Sequence, residues 1–379
     1  MKIAIFADSY LPYISGVTVS VHTLLEDLQK LGHQVLLFAP DYPGAKKEKR
    51  VFRFPSIPSP YPAFRITIPY SLGFINRFNN FAPDIIHSHS PFQLGHRSQK
   101  LAGEQKIPYV YTLHTLFEKY AHHVPFIKPH HVSTRIRHHL EKFCSACQHI
   151  ITPSPQTNDY LKELGVQTPS SVVKTGINLD AARRFSGKGI RKKYSIPEDA
   201  TLLVYAGRLA KEKNIPFLFR VLKKIVAQEN NVYLILVASG PEEDSLVKLA
   251  VSLGILGKVI FTGGAPHPLV FDYYAAGDIF VFSSKTETQG LVVAEAKIKG
   301  LPAVVIDAAG VSASVKDGED GFLVPEDKNL FIEKVLLLIK NQELRKKMGE
   351  AAQFNGEKDF SSLHSTQKLE GIYASLIKK

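Results

Sequence analysis

Residues 3–32, with the sequence IAIFADSYLPYISGVTVSVHTLLEDLQKLG, combine the patterns of a strand, a loop and a helix. The apolar run at residues 3–7 predicts a buried strand, and residues 8–16 predict a loop. From residue 17 to residue 31, apolar side chains recur every three or four positions, which predicts an amphipathic helix that Gly32 ends. A buried strand followed by such a helix is the repeating unit of a parallel sheet covered by helices.

Both halves of the chain repeat this unit. In the first half, further strands are predicted at residues 35–39, 85–87, 109–113 and 150–151. In the second half, strands are predicted at residues 202–206, 233–238, 259–261, 279–282 and 303–306, with helices near 215–228 and 242–253. Helical sequence then runs from about residue 329 to the end. The pattern predicts an α/β fold with two Rossmann-like doubly wound domains.

The length and composition indicate a folded two-domain protein. At 379 residues the chain exceeds what one hydrophobic core usually serves, which favours two domains of about 180 residues each. No apolar stretch approaches the roughly 18 residues that a membrane span needs, and residues 3–7 are too few for a signal peptide. We therefore expect a cytosolic protein. Residues 176–197 are polar, basic and rich in Gly and Ser, which is typical of a linker.

The only cysteines, Cys144 and Cys147, have the spacing of half a zinc site or of a redox pair. A structural zinc site needs four ligands, however, and a thioredoxin-like pair follows a strand, whereas these residues end a basic helical stretch. We therefore predict two reduced thiols and no metal site.

Two glutamates, Glu287 and Glu295, lie on either side of Gly290 at a predicted helix start. Glu287 is expected in the loop before the helix and Glu295 inside it, while Gly290 allows an anionic ligand to approach the free backbone N–H groups. Because carboxylates accept hydrogen bonds from sugar hydroxyls, this pattern suits a sugar nucleotide. The alternative is a pair of solvated glutamates that complement the helix dipole.

A cationic loop, GRLAKEKN at residues 207–214, follows the predicted strand 202–206. Arg208 offers a fork for a diphosphate and Lys213 a mobile point charge; a basic surface loop is the alternative. Ligands of doubly wound folds bind at the carboxyl ends of the strands, so we expect an active site shared by the two domains. Neither first strand-to-helix turn carries G-x-G-x-x-G, which argues against NAD.

These motifs resemble those of the retaining nucleotide-sugar glycosyltransferases of family 4. The matching segments, in the same order along nearly the whole chain, are residues 7–12, 112–115, 174–178, 207–214, 240–242, 287–295 and 317–324. The resemblance implies the GT-B fold, with two facing Rossmann-like domains and a C-terminal helix that crosses back to the first domain. Residues 1–180 would form the acceptor- and membrane-facing domain, 181–355 the nucleotide-sugar-binding domain and 356–379 the crossing helix.

The resemblance also implies roles for individual residues. Arg208 and Lys213 would hold the donor diphosphate, supported by the Gly16 amide. Glu295 would bind the ribose hydroxyls and Glu287 a hydroxyl of the transferred sugar, and His114 would meet that sugar from the other domain. A satisfied core histidine is the alternative for His114. The expected catalytic residues are His114, Glu287, Arg208 and Lys213, and the expected donor-binding residues are Gly16, Arg208, Lys213, Gly290, Leu291 and Glu295.

Fixed cations and helix N-termini stabilise the charge on a departing nucleoside diphosphate, so we expect a reaction without a metal ion and without any cofactor besides the UDP-sugar donor. The sequence contains no Asp-x-Asp motif.

The charge distribution bears on the acceptor. The chain carries 47 Lys and Arg against 35 Asp and Glu, a net charge of +12. Residues 119–142 are basic with interleaved apolar positions, a pattern that suits anionic lipid headgroups; a solvated helix with one buried face is the alternative. No nucleic-acid recognition motif occurs. The candidate acceptor or membrane residues are Tyr13, Phe64, Arg65, Lys119, Lys128, Arg135 and Arg137.

Residues 287–291, ETQGL, and 111–115, YTLHT, resemble the bacterial diacylglycerol glycosyltransferase branch of the family. This implies transfer of glucose or galactose from a UDP-sugar to the 3-hydroxyl of diacylglycerol, at the inner face of the plasma membrane. Two alternatives stay open: a transferase for a soluble sugar acceptor, and a non-catalytic nucleotide-sugar or polyanion binder.

Overall fold

The computed structural model describes residues 1–59, 64–118, 129–308 and 310–378. They form two compact units, one made of Met1–Gly176 with Ser362–Lys379 and the other of Ile177–Ser361. No helix in the described ranges combines the length and the apolar character that crossing a bilayer would need.

The first unit alternates strands and helices. Its strands are β1 (Lys2–Phe6), β2 (Gln34–Pro40), β3 (Val51–Phe54), β4 (Ser56–Pro58), β5 (Arg65–Thr67), β6 (Ile85–Ser88), β7 (Tyr109–Thr112), β8 (His149–Thr152) and β9 (Ser170–Val172). Its helices up to Gly176 are α1 (Gly16–Lys30), α2 (Phe74–Phe81), α3 (Gln93–Gln105), α4 (Pro129–Ser145) and α5 (Pro155–Glu163).

The main sheet of this unit is parallel, with the strand order β3-β2-β1-β6-β7-β8-β9 in the described residues. Strand β1 shows why both faces are covered. Ile3 and Ile5 belong to the apolar cluster that includes α1, whereas Ala4 and Phe6 belong to the cluster that includes α2 and α3. All four side chains are fully buried, so β1 is apolar throughout rather than alternating.

The second unit repeats the plan. Its strands are β10 (Thr201–Ala206), β11 (Val232–Val237), β12 (Val259–Phe261), β13 (Ile279–Phe282), β14 (Ala303–Ile306) and β15 (Gly321–Val324). Its helices are α6 (Leu179–Arg183), α7 (Ile190–Lys193), α8 (Ile215–Val226), α9 (Glu243–Ser252), α10 (Val270–Ala276), α11 (Leu291–Ile298), α12 (Lys328–Lys340) and α13 (Gln342–Asp359). The strands form a parallel sheet in the order β12-β11-β10-β13-β14-β15. Together, the two helix-covered parallel sheets confirm the predicted fold class.

The last helix, α14 (Ser362–Ile377), belongs to the first unit, as the family resemblance implied. Leu369 and Tyr373 lie in the same apolar cluster as Val21 and Leu25 of α1. The Tyr373 hydroxyl is also 2.6 Å from Nδ1 of His87, so a buried hydrogen bond ties α14 to β6.

The prediction that residues 176–197 form a linker is wrong. Residues 177–197 contain α6 and α7, and the side chains of Ile177, Ile190 and Ile196 are buried in the core of the second unit. Polar composition misled the prediction, because three isoleucines among many polar residues suffice to anchor two short helices.

Candidate functional site

The candidate donor site lies at the carboxyl ends of β10 and β13, which are neighbours in the second sheet. From β10 the chain continues to β11 on one side, and from β13 to β14 on the other, so the strand order reverses here. In open α/β sheets, this switch point leaves a crevice in which ligands bind. The loop after β10 carries Arg208 and Lys213, and the loop after β13 carries Glu287 and Gly290.

Lys213 and Glu287 form an ion pair across this crevice. The Lys213 Nζ atom lies 2.5 Å from Oε1 of Glu287, and the Ser284 hydroxyl donates to the same oxygen at 2.7 Å. Both charged side chains are largely buried, with 12% and 19% exposed. Burial raises the pKa of Glu287, but the Lys213 ammonium and the two hydrogen bonds outweigh it, so the pKa lies below its ordinary value. The carboxylate is therefore ionised at neutral pH.

The backbone of the Glu287 loop is held by close packing. A Cβ atom on Gly310 would lie 2.1 Å from the Glu287 carbonyl oxygen, and Gly310 also has a φ of +84°. Only glycine fits such a position. Gln289 lies on the same loop as Glu287, and its carbonyl accepts a hydrogen bond from Ser314 Oγ at 2.6 Å. These contacts fix where Glu287 and the start of α11 lie.

Gly290 precedes α11 in the left-handed conformation, with φ 71° and ψ 53°. The helix begins at Leu291, which is half-buried, and Glu295 lies inside it. The predicted placement of Glu287 before the helix, Gly290 at its start and Glu295 within it is therefore confirmed, whereas their roles in donor binding stay predictions.

Glu295 is a buried carboxyl, with 5% of the residue exposed. Burial raises its pKa to about 7, although a hydrogen bond from Tyr274 to Oε2, at 2.9 Å, lowers it in part. The other oxygen, Oε1, lies 3.8 Å from Nε2 of His267. Near neutral pH this group therefore exchanges between a carboxylic acid and a carboxylate.

Arg208 lies in the turn directly after β10. Its carbonyl accepts hydrogen bonds from the Tyr205 hydroxyl at 3.4 Å and from the Ala210 amide at 3.1 Å. The loop is packed against Gly240, where an added Cβ would lie 2.3 Å from the Leu209 carbonyl. These contacts fix the backbone that presents the guanidinium.

In the first unit, Gly16 is the first residue of α1. Ser15 caps this helix, because its hydroxyl accepts from the Thr18 amide while its own amide donates to Thr18 Oγ1. A Cβ on Gly16 would have no neighbour within 4 Å among the described residues. The N-terminus of this 15-residue helix is thus open at Gly16.

His114 follows β7 and joins a buried histidine cluster. Its Nε2 lies 2.8 Å from Nδ1 of His89, and the rings of His89 and His87 are 4.1 Å apart. Burial lowers the pKa of His114 to about 4 and, together with the charge of His114, that of His87 to about 3. All three imidazoles are therefore neutral at pH 7, since the pKa of His89 is also well below its usual value.

The predicted acceptor residues fall into separate groups. Tyr13 and Phe64 meet edge to face with ring centroids 6.1 Å apart, and Arg65 donates to the Ser56 carbonyl at 2.6 Å. Arg137 pairs with Glu118 at 3.1 Å. Arg135 is exposed on α4. Lys119 and Lys128 lie outside the described residues.

Sequence reasoning missed the residues that hold the site together. Tyr274 on α10, Ser284 after β13 and His89 after β6 each contact a predicted site residue. Ser284 and His89 are each the second residue after a predicted strand, which is a usable signal. Nothing in the sequence marks Tyr274, because its partner becomes apparent only when α10 packs on α11.

The described side chains contain no group of three or more His, Cys, Asp or Glu residues arranged to hold a metal ion. Cys144 and Cys147 are buried and unbridged, and burial raises the pKa of both thiols.

Two family models match the chain. The model for glycosyltransferase family 4 matches residues 14–181, and the model for glycosyl transferases group 1 matches residues 188–354. The alpha-monoglucosyldiacylglycerol synthase of Streptococcus pneumoniae is 31% identical over 317 residues, which cover 80% of this chain and 70% of the relative. The alpha-monoglucosyldiacylglycerol synthase of Acholeplasma laidlawii is 27% identical over 100% of this chain and 98% of its own.

Solved structures show the same fold. The sucrose-phosphate synthase of Thermosynechococcus elongatus superposes with a TM-score of 0.82 at 20% identity, covering 100% of this chain and 99% of its own. The fold is GT-B, as the family resemblance implied.

Proposed function

Because the chain belongs to glycosyltransferase family 4, we propose that it transfers a hexose from a UDP-sugar to a membrane lipid. The acceptor is the 3-hydroxyl of 1,2-diacylglycerol, and the product is an α-glycolipid. The observation that carries the proposal is the ion pair of Lys213 and Glu287 at the switch point of the second sheet.

A diphosphate leaving group explains the cations at this crevice. As the bond between the sugar carbon C1 and the phosphate oxygen breaks, negative charge develops on the diphosphate. Lys213 and Arg208 lie on the loop that follows β10, where fixed positive charge stabilises the transition state more than the ground state. To bind the diphosphate, Lys213 gives up part of its contact with Glu287 and contacts a phosphate oxygen instead.

The two glutamates suit the hydroxyl groups of the donor. Glu287, held ionised by Lys213, accepts a hydrogen bond from a hydroxyl of the transferred sugar. Glu295, eight residues later in the sequence, accepts hydrogen bonds from the ribose hydroxyls. Gly290 at the start of α11 leaves backbone N–H groups accessible to phosphate oxygens. The roles of Gly16, Leu291 and His114 are carried over from the family resemblance.

We propose that the acceptor oxygen attacks C1 on the face from which the diphosphate departs, so that configuration is retained. A bond forms between C1 and the acceptor oxygen, the bond between C1 and the phosphate oxygen breaks, and the hydroxyl proton passes to the departing phosphate. No metal ion takes part, because the cationic side chains stabilise the leaving group.

The lipid acceptor rests on two supports. Both relatives described above are named as synthases of alpha-monoglucosyldiacylglycerol, which favours glucose as the sugar and diacylglycerol as the acceptor. In addition, the net charge of +12 favours binding at an anionic membrane surface, where the acceptor resides.

A matrix of donors and acceptors tests the proposal. UDP-glucose, UDP-galactose and GDP-mannose are each incubated with anionic vesicles that contain or lack diacylglycerol, and with a soluble sugar in place of vesicles. We expect transfer from a UDP-sugar only with diacylglycerol vesicles, unchanged by EDTA. Equal transfer to the soluble sugar would assign the chain to soluble acceptors. UDP binding without transfer, or transfer at the wild-type rate in folded Glu287→Ala and Lys213→Ala variants, would refute the catalytic site.

A further inference from the structure

An exposed apolar surface in the first unit includes none of the residues predicted from the sequence. Leu72 is 100% exposed and Tyr70 is 71% exposed. Ile57 is 50% exposed, and Ile68 and Ile75 are each 39% exposed. Single exposed apolar residues are common on proteins, but four of these five fall within eight consecutive residues. We name Ile57, Ile68, Tyr70, Leu72 and Ile75 the apolar tip.

The local backbone holds these side chains outward. In the antiparallel ribbon of β4 and β5, Ile57 lies opposite Ile66. Side chains alternate along a strand, so Ile66 and Ile68 share the face of Ile57, whereas Thr67 is buried on the other face.

Helix α2 fixes the other side of the apolar tip. Phe74 and Phe78, one turn apart, are both buried in the core, which forces Ile75 on the same helix toward solvent. Gly73 adopts a left-handed φ of 78° and ends the turn that carries Tyr70 and Leu72. The buried Phe74 and Phe78 thus anchor the helix that follows this turn, while Tyr70 and Leu72 stay exposed.

The surroundings of the apolar tip are cationic. Residues 49–83 contain no Asp or Glu. They do contain five cationic residues, namely Lys49, Arg50, Arg53, Arg65 and Arg77. Arg50 pairs with Glu48, and the other four have no ion pair among the described residues. A surface with exposed apolar groups and positive charge matches an anionic lipid headgroup layer over acyl chains.

Arg97 contacts the apolar tip through Tyr70. Its guanidinium carbon is 5.7 Å from the ring centroid of Tyr70 and 5.6 Å from that of Phe74. The Nε atom is buried and has no hydrogen-bond partner within the described ranges. A guanidinium beside the ring of the exposed Tyr70 is suited to a phosphate oxygen that meets its terminal N–H groups rather than the buried Nε.

We propose that the apolar tip inserts into the anionic membrane that holds the acceptor, with Leu72 and Tyr70 entering the acyl boundary and Arg97 meeting a lipid phosphate. The inference rests on the proposed function for the identity of that membrane. A bilayer fits better than a second protein, because the most exposed side chains stand on a turn and residues 49–83 carry five cationic residues and no acid.

Fluorescence tests insertion without using catalysis. The chain contains no tryptophan, so a Leu72→Trp variant reports from the tip alone. Phe354→Trp is the matched control, since Phe354 is 68% exposed on α13 of the other unit. With phosphatidylglycerol vesicles that lack diacylglycerol and donor, the emission of Leu72→Trp should shift to shorter wavelength and be quenched by brominated acyl chains. The control should change in neither respect.

Affinity provides a second readout. Leu72→Asp should weaken vesicle binding by about tenfold or more, since a charge cannot enter the acyl boundary. Val251→Asp, at a residue 58% exposed in the second unit, should leave binding unchanged. Arg97→Lys should weaken vesicle binding less than Arg97→Ala, because lysine retains the positive charge although it lacks the paired N–H donors of the guanidinium.

The outcomes separate this inference from the proposed function. If Leu72→Trp binds vesicles without a shift or quenching while transfer to diacylglycerol persists, the apolar tip is not the insertion surface and the proposed function stands. If the apolar tip inserts but no hexose is transferred, the insertion surface stands and the proposed function is wrong. A shift that depends on protein concentration without vesicles would assign the surface to a second copy of the chain and overturn the inference.

Discussion

The Nζ atom of Lys213 lies 2.5 Å from Oε1 of Glu287, although 74 positions separate the two residues in sequence. The contact exists because β10 and β13 are neighbours and the loops that follow them meet at the same edge of the sheet. A cation and a carboxylate thus occupy the place where a doubly wound domain binds its ligand.

Removing the cation should affect both activity and stability. Lys213→Ala should lower kcat by about 10²- to 10³-fold, because a fixed donor to the leaving diphosphate is lost. The free energy of unfolding should fall by about 2 kcal/mol, because Glu287 is left buried without its partner. Steady-state kinetics and urea unfolding measure the two effects.

Lys285→Ala is the control, because Lys285 forms an exposed ion pair with Glu326. Its substitution should lower the free energy of unfolding by less than about 1 kcal/mol. The double variant Lys213→Ala/Glu287→Gln should recover stability but not activity. Recovery of both would show that Lys213 acts only by supporting the fold.

Donor affinity should depend on the ionisation of Glu295, which has a pKa of about 7. Only the carboxylate accepts hydrogen bonds from both ribose hydroxyls, so the affinity for UDP should rise about tenfold between pH 6 and pH 8. Tyr274→Phe should move this rise to higher pH, because the Tyr274 hydroxyl stabilises the charged form. Calorimetry across this range measures both, and a Glu295→Gln variant with the same pH dependence as the wild type would contradict the assignment.

The same group should make the donor-free chain less stable at higher pH. Its folded pKa is raised above the ordinary value of 4.5, so the folded state binds more protons between the two values. Stability from this group is therefore present below about pH 4.5 and is lost as the pH rises through about 7. In urea unfolding, the free energy of unfolding of Glu295→Gln should rise relative to that of the wild type from pH 5 to pH 8. If the difference between the two proteins does not change with pH, the pKa of Glu295 is not raised.

The Glu287 loop should be sensitive to one added methyl group. In Gly310→Ala, the new Cβ would overlap the Glu287 carbonyl, so the loop must shift and UDP affinity should fall by about tenfold or more. Gly318→Ala is a matched control, since Gly318 also has a positive φ, +74°, but its Cβ would meet nothing within 4 Å. Equal losses in the two variants would mean that backbone strain, rather than loop position, causes the effect.

The C-terminal helix should loosen when its buried hydrogen bond is removed. Tyr373→Phe leaves Nδ1 of His87 without a partner and should destabilise the docking of α14 by about 1–3 kcal/mol. Amide hydrogen exchange along α14 should accelerate, while exchange in α13 stays unchanged. Ser375→Ala removes an exposed hydroxyl bond to Ile372 and serves as the control.

Local pattern sufficed for much of the fold. The strand and helix within residues 3–32 follow from apolar periodicity, and the placement of Glu287, Gly290 and Glu295 around the start of α11 follows from glycine chemistry. Both depend on interactions between near neighbours in sequence, which periodicity and turn residues encode directly.

Contacts between distant segments could not be predicted in this way. Tyr274 reaches Glu295 and His114 reaches His89 only because separate elements pack side by side. β15 was not predicted because it begins at Gly321, a residue of low strand propensity that fits closely against the Ala303 carbonyl. The predicted linker at residues 176–197 was misassigned for a related reason, since the burial of its few isoleucines depends on the core against which they pack.

The most direct test of the central claim is the structure of the lipid product. The chain is incubated with ¹³C-labelled UDP-glucose and anionic vesicles that contain diacylglycerol, and the extracted lipid is analysed by NMR. We expect a hexose joined to the 3-hydroxyl of diacylglycerol with the α-configuration, formed about 10²- to 10³-fold more slowly by Lys213→Ala. A β-linked product would contradict retention, and label that appears only in water-soluble products would contradict transfer to a lipid.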